Sequence, residues 1–215
     1  MNKESCAALL EEKRYDFEIL PQLEAYVEDQ CKSQSYDLDA NLAVLKLYKF
    51  HPDKSNEGII AKVLLKALMN LPHTDYLLCT YLIPESLQEL ETITTISQIA
   101  SLLETCCFRE VWAALQPVRE SLLASVPGFD DAIRSFMLST LQITYQAVPE
   151  DHVLESLGLD SAGFAVLTSS RGWTLDGGTV KIALNDDNTA KAKKVDVSGA
   201  MAFDQMTKIL SSIAS

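Results

Sequence analysis

A chain of 215 residues with 47% hydrophobic content has enough apolar side chains for one large domain or two small ones. Its 30 acidic against 18 basic residues, a net of −12, exclude a surface that neutralises many phosphates, and they disfavour anionic membranes for the same reason. The five cysteines show no CxxC spacing, the N-terminus lacks an apolar signal core, and the longest uncharged stretch, 135–149, is too short for a bilayer, so reduced thiols in the cytoplasm are expected, with the nucleus left open.

Residues 1–17 are charged and without clear period, and read as a flexible or partly helical lead-in. Order is expected from Ile19-Leu20-Pro21: proline suits the first helical position, and Leu23, Tyr26, Val27 and Cys31 follow on one face. Residues 36–50 form the stretch around which the chain is expected to be organised. Its apolar residues nearly encircle a helix, with only Asn41, Lys46 and Lys49 as polar interruptions, so it needs cover on more than one side, and Leu42 and Leu45 belong to its core. Asp37 and Asp39 supply caps, and His51-Pro52 ends the helix. A second apolar run, 59–71, closes at Pro72 and pairs with the first as an antiparallel neighbour.

A short helix is expected at 76–83 and a longer one at 87–106, striped by Leu90, Ile93, Ile96, Ile99, Leu102 and Leu103. Residues 108–115 and 118–124 then make a pair bent at Pro117. Paired helices with proline-marked turns suggest a HEAT/TPR-like array over 18–127, although no strict repeat aligns. Val126-Pro127-Gly128 marks a boundary. Beyond it, helices at 130–147, 149–157 and from Asp160-Ser161 outline a helix-turn-helix, and Trp173 to Leu184 form a hairpin around Asp176-Gly177-Gly178, together a winged helix over 128–184. A polar, mobile loop (185–199) leads to a terminal amphipathic helix (200–215) carrying Met201, Phe203, Met206, Ile209, Leu210 and Ile213. The fold class expected is mainly α, a HEAT/TPR-like array followed by a winged helix with a small β-hairpin wing and a terminal helix.

Candidate chemistry is sparse. His73, Asp75 and Cys79 supply at most half of a metal site, to be completed by Cys106 or Cys107, and structural zinc wants four well-placed ligands; capping of the next helix by His73-Thr-Asp75 is the plainer role. A Cys-His nucleophile from Cys106 or Cys107 with His51, His73 or His152 has nothing to position it. No phosphate loop, nucleophile elbow or paired metal-binding histidines occurs, so neither enzyme activity nor a cofactor is expected. A recognition helix at 160–170 would meet nucleic acid with Arg171 as its one nearby cation, and residues 128–215 hold 11 acidic against 7 basic side chains, a net of −4. The cluster Lys191, Lys193 and Lys194 reads as a solvated loop. Two readings of the hairpin stay open: a strand edge offered to another protein, or Val180 and Ile182 closing the domain's own core.

Residues 36–50, then 64–79 with their Asn70-Leu-Pro-His-Thr-Asp75 core, closely resemble the subunit K family of eukaryotic translation initiation factor 3. Leu102-Leu-Glu-Thr-Cys106, Phe108, Trp112, Gly128-Phe-Asp-Asp131, Ile143-Thr-Tyr-Gln146 and Gly172-Trp173 extend the likeness across most of 37–173. The resemblance implies the PCI-type architecture and a non-catalytic scaffold that assists recruitment of mRNA and initiator tRNA to the small ribosomal subunit. It implies docking through the winged helix onto the neighbouring L subunit, and contact with the ribosome through the complex. As physical expectations for partner contact, the wing offers Trp173, Thr179, Val180, Lys181 and Ile182, and the last helix Phe203, Met206 and Leu210. The alternatives are a PCI-like subunit of a proteasome lid or signalosome, which shares the architecture, and a helix-turn-helix nucleic-acid binder, which lacks a basic face.

Overall fold

Twelve α-helices and three short strands occupy the described part of a computed structural model, residues 2–190 and 203–213. Helix α1 (Lys3–Lys13) begins where the Asn2 side chain accepts the Ser5 amide hydrogen at 2.8 Å. Of the flexible and partly helical readings of this lead-in, the structure takes the helical one. Cys6 and Leu10, one turn apart, are buried where α1 packs toward α3, and two apolar anchors are too few to announce a period in sequence. Helix α2 (Leu20–Lys32) carries its proline in the first turn, and α3 (Leu38–Phe50) is capped by Asp37, which accepts the Ala40 amide hydrogen at 3.3 Å.

The helix at the centre is the next one. In α4 (Glu57–Leu68) every residue from Ile59 to Leu68 is buried except Lys62, and the helix packs against α2, α3, α5 (Asp75–Thr80), α7 (Glu91–Glu104) and α9 (Phe129–Thr144). Residues 36–50 are one of its walls rather than the hub. Even Lys66 lies inside, and burial pushes its amine below the ordinary lysine value. The expected helix 87–106 is divided into α6 (Glu85–Gln88) and α7, and α8 (Phe108–Leu115) follows. No α-helix forms over 118–124: turns lead instead to a single 3₁₀ turn at Leu123–Ser125, because Pro117 and the short polar run after it leave too few residues to propagate a helix.

Buried polar groups tie the first helices together. Gln30 donates to Asn41 at 3.0 Å and accepts the Asp37 amide hydrogen at 2.9 Å, and Tyr26 donates to Asp37 at 3.3 Å. Asp75 does not cap α5, as the sequence suggested; its carboxylate accepts hydrogen bonds from Tyr36 at 2.9 Å and from Asn70 at 2.6 Å, joining the entry to α3 with the end of α4. Burial, with Asp75 beside it, raises the Tyr36 phenol above its ordinary value.

The five thiols are free and divide into buried Cys6, Cys31 and Cys79 and exposed Cys106 and Cys107. A thiol reagent should thus modify two in the native chain and all five in denaturant, and fast loss of a third would contradict the packing of α1, α2 or α5. Burial, with a smaller contribution from Asp75, pushes Cys79 up to about 12; burial with Asp37 and Asp39 pushes Cys6 to about 11; and burial with Asp37 pushes Tyr26 to about 12. Unfolded thiols and phenols release protons near about 8.5 and 10. The folded chain therefore holds more protons in alkali, so the stability from these groups is full below about pH 8.5 and falls as pH rises toward about 12. Urea unfolding at pH 7 and 10 should show the lower midpoint at 10.

From α8 onward the core continues without a break into the winged helix. The Trp112 indole on α8 donates to the Ser156 carbonyl at 2.8 Å, the Arg134 guanidinium from α9 lies 4.9 Å from its ring centre, and Arg134 also donates to the Leu157 carbonyl at 3.1 Å. Phe108 meets Phe136 edge to face at 6.1 Å. Helix α9 stops at Thr144, three residues short of expectation, since 147–149 form a strand. Helix α10 (Glu150–Leu157) ends at left-handed Gly158, and α11 (Ser161–Arg171) is capped by Asp160, which accepts the Gly163 amide hydrogen at 2.8 Å.

Candidate protein-interaction site

The wing is a three-stranded antiparallel sheet. Strand β1 (Ala147–Pro149) pairs with β3 (Thr179–Lys181), which pairs with β2 (Thr174–Asp176), so β3 is central and β2 forms one edge. Gly177 and Gly178, with φ of +58° and +78°, make the tight turn between β2 and β3, as the Asp-Gly-Gly signal predicted. Strand β1 was not foreseen, because three residues ending in proline carry no strand signal of their own. It is supplied with partners from outside: the Ile182 amide donates to the Gln146 carbonyl at 2.9 Å and the Glu150 amide to the Gly178 carbonyl at 3.0 Å.

Register explains which side chains face out. Val148, Val180 and Leu175 stand opposite one another across the three strands and share one face. Val148 and Val180 are buried, while Leu175, at the edge, is exposed. The apolar row of the sheet thus runs into the open at β2, where no further strand lies alongside among the described residues. Of the wing positions named from sequence, Trp173, Val180 and Ile182 are buried and belong to the chain's own core; Thr179 is half-buried, and Lys181 is exposed in an ion pair with Asp176 at 2.6 Å. Leu175 was missed: two residues from Trp173, it follows the same strand alternation, and only its place on the edge strand leaves it exposed.

Residues 185–190, the described start of the expected loop, form turns tied back to the end of α9. Asn188 donates to the carbonyls of Gln142 and Ala183 at 3.1 Å, Asn185 donates to Gln142 at 3.1 Å, and Gln146 donates to the Asn188 carbonyl at 2.6 Å. Carboxamides thereby satisfy carbonyls at the end of α9 that the helix cannot. The rest of that loop, with Lys191, Lys193 and Lys194, lies outside the described residues, as does Met201.

Helix α12 (Phe203–Ile213) shows an open apolar stripe: Met206, Ile209, Leu210 and Ile213 are 44%, 46%, 65% and 76% exposed and recur at helical spacing. The side chains of Phe203, Asp204 and Lys208 are outside the described set. Ile209 and Ile213 join Met206 and Leu210 as candidate contacts.

The other candidates are dispersed. His73 is exposed, Asp75 and Cys79 are buried, and no group of three or more His, Cys, Asp or Glu is gathered for a metal ion among the described residues. His51 packs on Phe17 at 4.6 Å, and His152 meets Arg109 at 2.9 Å and the Tyr145 ring at 6.2 Å. Helix α11 carries only Arg171 as a basic residue. No helix of the described residues is long and apolar enough to cross a membrane.

A helical array running into a winged helix with an open strand edge, and a terminal helix with an exposed apolar stripe, defines a PCI-like protein. The family model described as the CSN8/PSMD8/EIF3K family matches residues 54–194. Eukaryotic translation initiation factor 3 subunit K of Homo sapiens is 40% identical over 200 residues, covering 93% of this chain and 90% of that protein. The subunit K proteins of Bombyx mori, 37% identical over 97% of this chain and 94% of theirs, and of Xenopus laevis, 42% identical over 89% and 91%, are similar throughout. The chain belongs to the CSN8/PSMD8/EIF3K family, and within it to the subunit K proteins of eukaryotic translation initiation factor 3.

Proposed function

We propose that this chain is a non-catalytic scaffold subunit of initiation factor 3 in the cytoplasm, assisting recruitment of mRNA and initiator tRNA to the small ribosomal subunit through protein contacts alone. The observation that carries this reading is the apolar stripe of α12, which leaves four large side chains in water unless a partner covers them. Leu175 at the edge of β2 extends the offer to a strand or helix of the neighbour. The neighbour proposed is the L subunit, with ribosome contact passing through the complex. The buried Trp173, Val180 and Ile182 hold the wing in shape, and Thr179, Lys181, Leu175, Met206 and Leu210, with Phe203 from the same helix, are the proposed contacts. The acidic balance, −12 over the chain, supports protein rather than nucleic acid as the ligand.

Leu210→Asp should leave the melting temperature unchanged and lower the yield of co-purified L subunit by roughly tenfold or more, the scale of an interface anchor. Lys181→Glu breaks only an exposed ion pair, so it too should fold normally and weaken assembly. Full assembly of both variants would move the interface elsewhere.

A further inference from the structure

A second open surface lies on the helical array. Tyr15, Phe50 and Tyr81 are 62%, 57% and 69% exposed, large aromatic rings left in water on three neighbouring segments. The Tyr15 and Phe50 ring centres are 6.4 Å apart. Lys46 and Phe50 are one helical turn apart on α3, and Lys49 lies beside them. The Lys46 ammonium is 4.7 Å from the Tyr15 ring centre and donates to its hydroxyl at 3.1 Å, while Lys49 donates to the Tyr81 carbonyl at 3.3 Å. The segment after α1 and the end of α5 are thus both tied to the last turns of α3, through Lys46 and Lys49.

Two ammonium groups stand at its centre. Neither Lys46 nor Lys49 is in an ion pair among the described residues, and the Asp39 carboxylate on the same helix is taken by Arg14. On a chain of net charge −12, two unpaired ammonium groups framed by exposed rings form a local positive, apolar spot. Bare phosphate backbone would suffer repulsion from the rest of the molecule, whereas a short protein segment needs to approach only here.

We propose that this patch docks an acidic segment of another protein, one that places Asp or Glu side chains on Lys46 and Lys49 and an apolar or aromatic residue against Tyr15, Phe50 and Tyr81. Charge complementarity sets the partner's chemistry, and the three rings supply the desolvated contact that gives an interface its affinity. The proposal rests on the scaffold reading, and adds to it a site formed by α1, α3 and α5 with no residue of the wing or of α12.

The test uses the tagged chain within the particle purified from its own cells, with p-benzoylphenylalanine in place of Tyr81 as the photoprobe. Irradiation should yield a crosslink to a protein segment with a net negative charge, and Lys49→Glu should reduce that crosslink by roughly tenfold or more without changing the melting temperature. Lys46→Glu combined with Lys49→Glu should abolish it, and the single exposed substitution carries the test should the double variant unfold. Crosslinks to RNA, crosslinks insensitive to the charge reversal, or no protein crosslink in an otherwise complete particle would overturn the proposal. Loss of the companion subunits themselves would instead tell against the scaffold reading, and is scored separately by their presence on the tagged chain.

Discussion

Leu45→Ala should destabilise the chain by about 2–5 kcal/mol, the range for removing a large aliphatic side chain from a closed core. Leu45 is 1% exposed, in the middle of α3 and within the apolar core that α3 and α4 share. Alanine keeps helix propensity, so the loss is transfer free energy plus the cavity, undiluted by a backbone effect. Leu42, half-buried on the same helix, should lose less, although from sequence the two were equivalent. Urea unfolding of both variants checks the ordering; equal midpoints would mean that α3 is packed on a different face.

Gly158→Ala should be the most damaging single methyl addition in the winged helix. Gly158 ends α10 with φ +58°, a backbone that costs an L residue roughly 1–2 kcal/mol. An added Cβ would also sit 3.0 Å from the Trp112 ring, which cannot retreat without losing its bond to the Ser156 carbonyl and its stacking on Arg134. Gly172 provides the control: its φ is +66°, but nothing lies within 4 Å of an added Cβ. Both substitutions carry the same backbone strain, so the extra loss at Gly158 measures the Trp112 junction between array and winged helix. Equal losses would show that α8 and α10 are not in contact there.

The helices were legible because their signals are local. Asp37, Asp160 and Gly158 mark their ends by capping chemistry, and the stripe of α7 repeats at helical spacing. What could not be read depends on partners distant in sequence. Strand β1 exists only because β3 pairs with it, α1 is ordered by two side chains reaching toward α3, and the Asn185–Asn188 region is fixed by carbonyls at the end of α9. The centrality of α4 was also hidden, since a nearly all-apolar helix and an even more buried neighbour look alike until packed. At the candidate site, the sequence located wing and terminal helix but could not divide Trp173, Val180 and Ile182, which are buried, from Leu175, which shares Val180's face but lies exposed at the edge. Alternation gives the two faces of a strand; a strand's place at the sheet's edge decides which residues of the apolar face meet water.

Native mass spectrometry of the tagged chain, purified gently from its own cells before and after nuclease, tests the central claim most directly. A nuclease-resistant particle containing other initiation factor 3 subunits, with the L subunit among the last to dissociate, is the predicted result. A lone chain, a partner lost with nuclease, or a proteasome-lid or signalosome particle would contradict it.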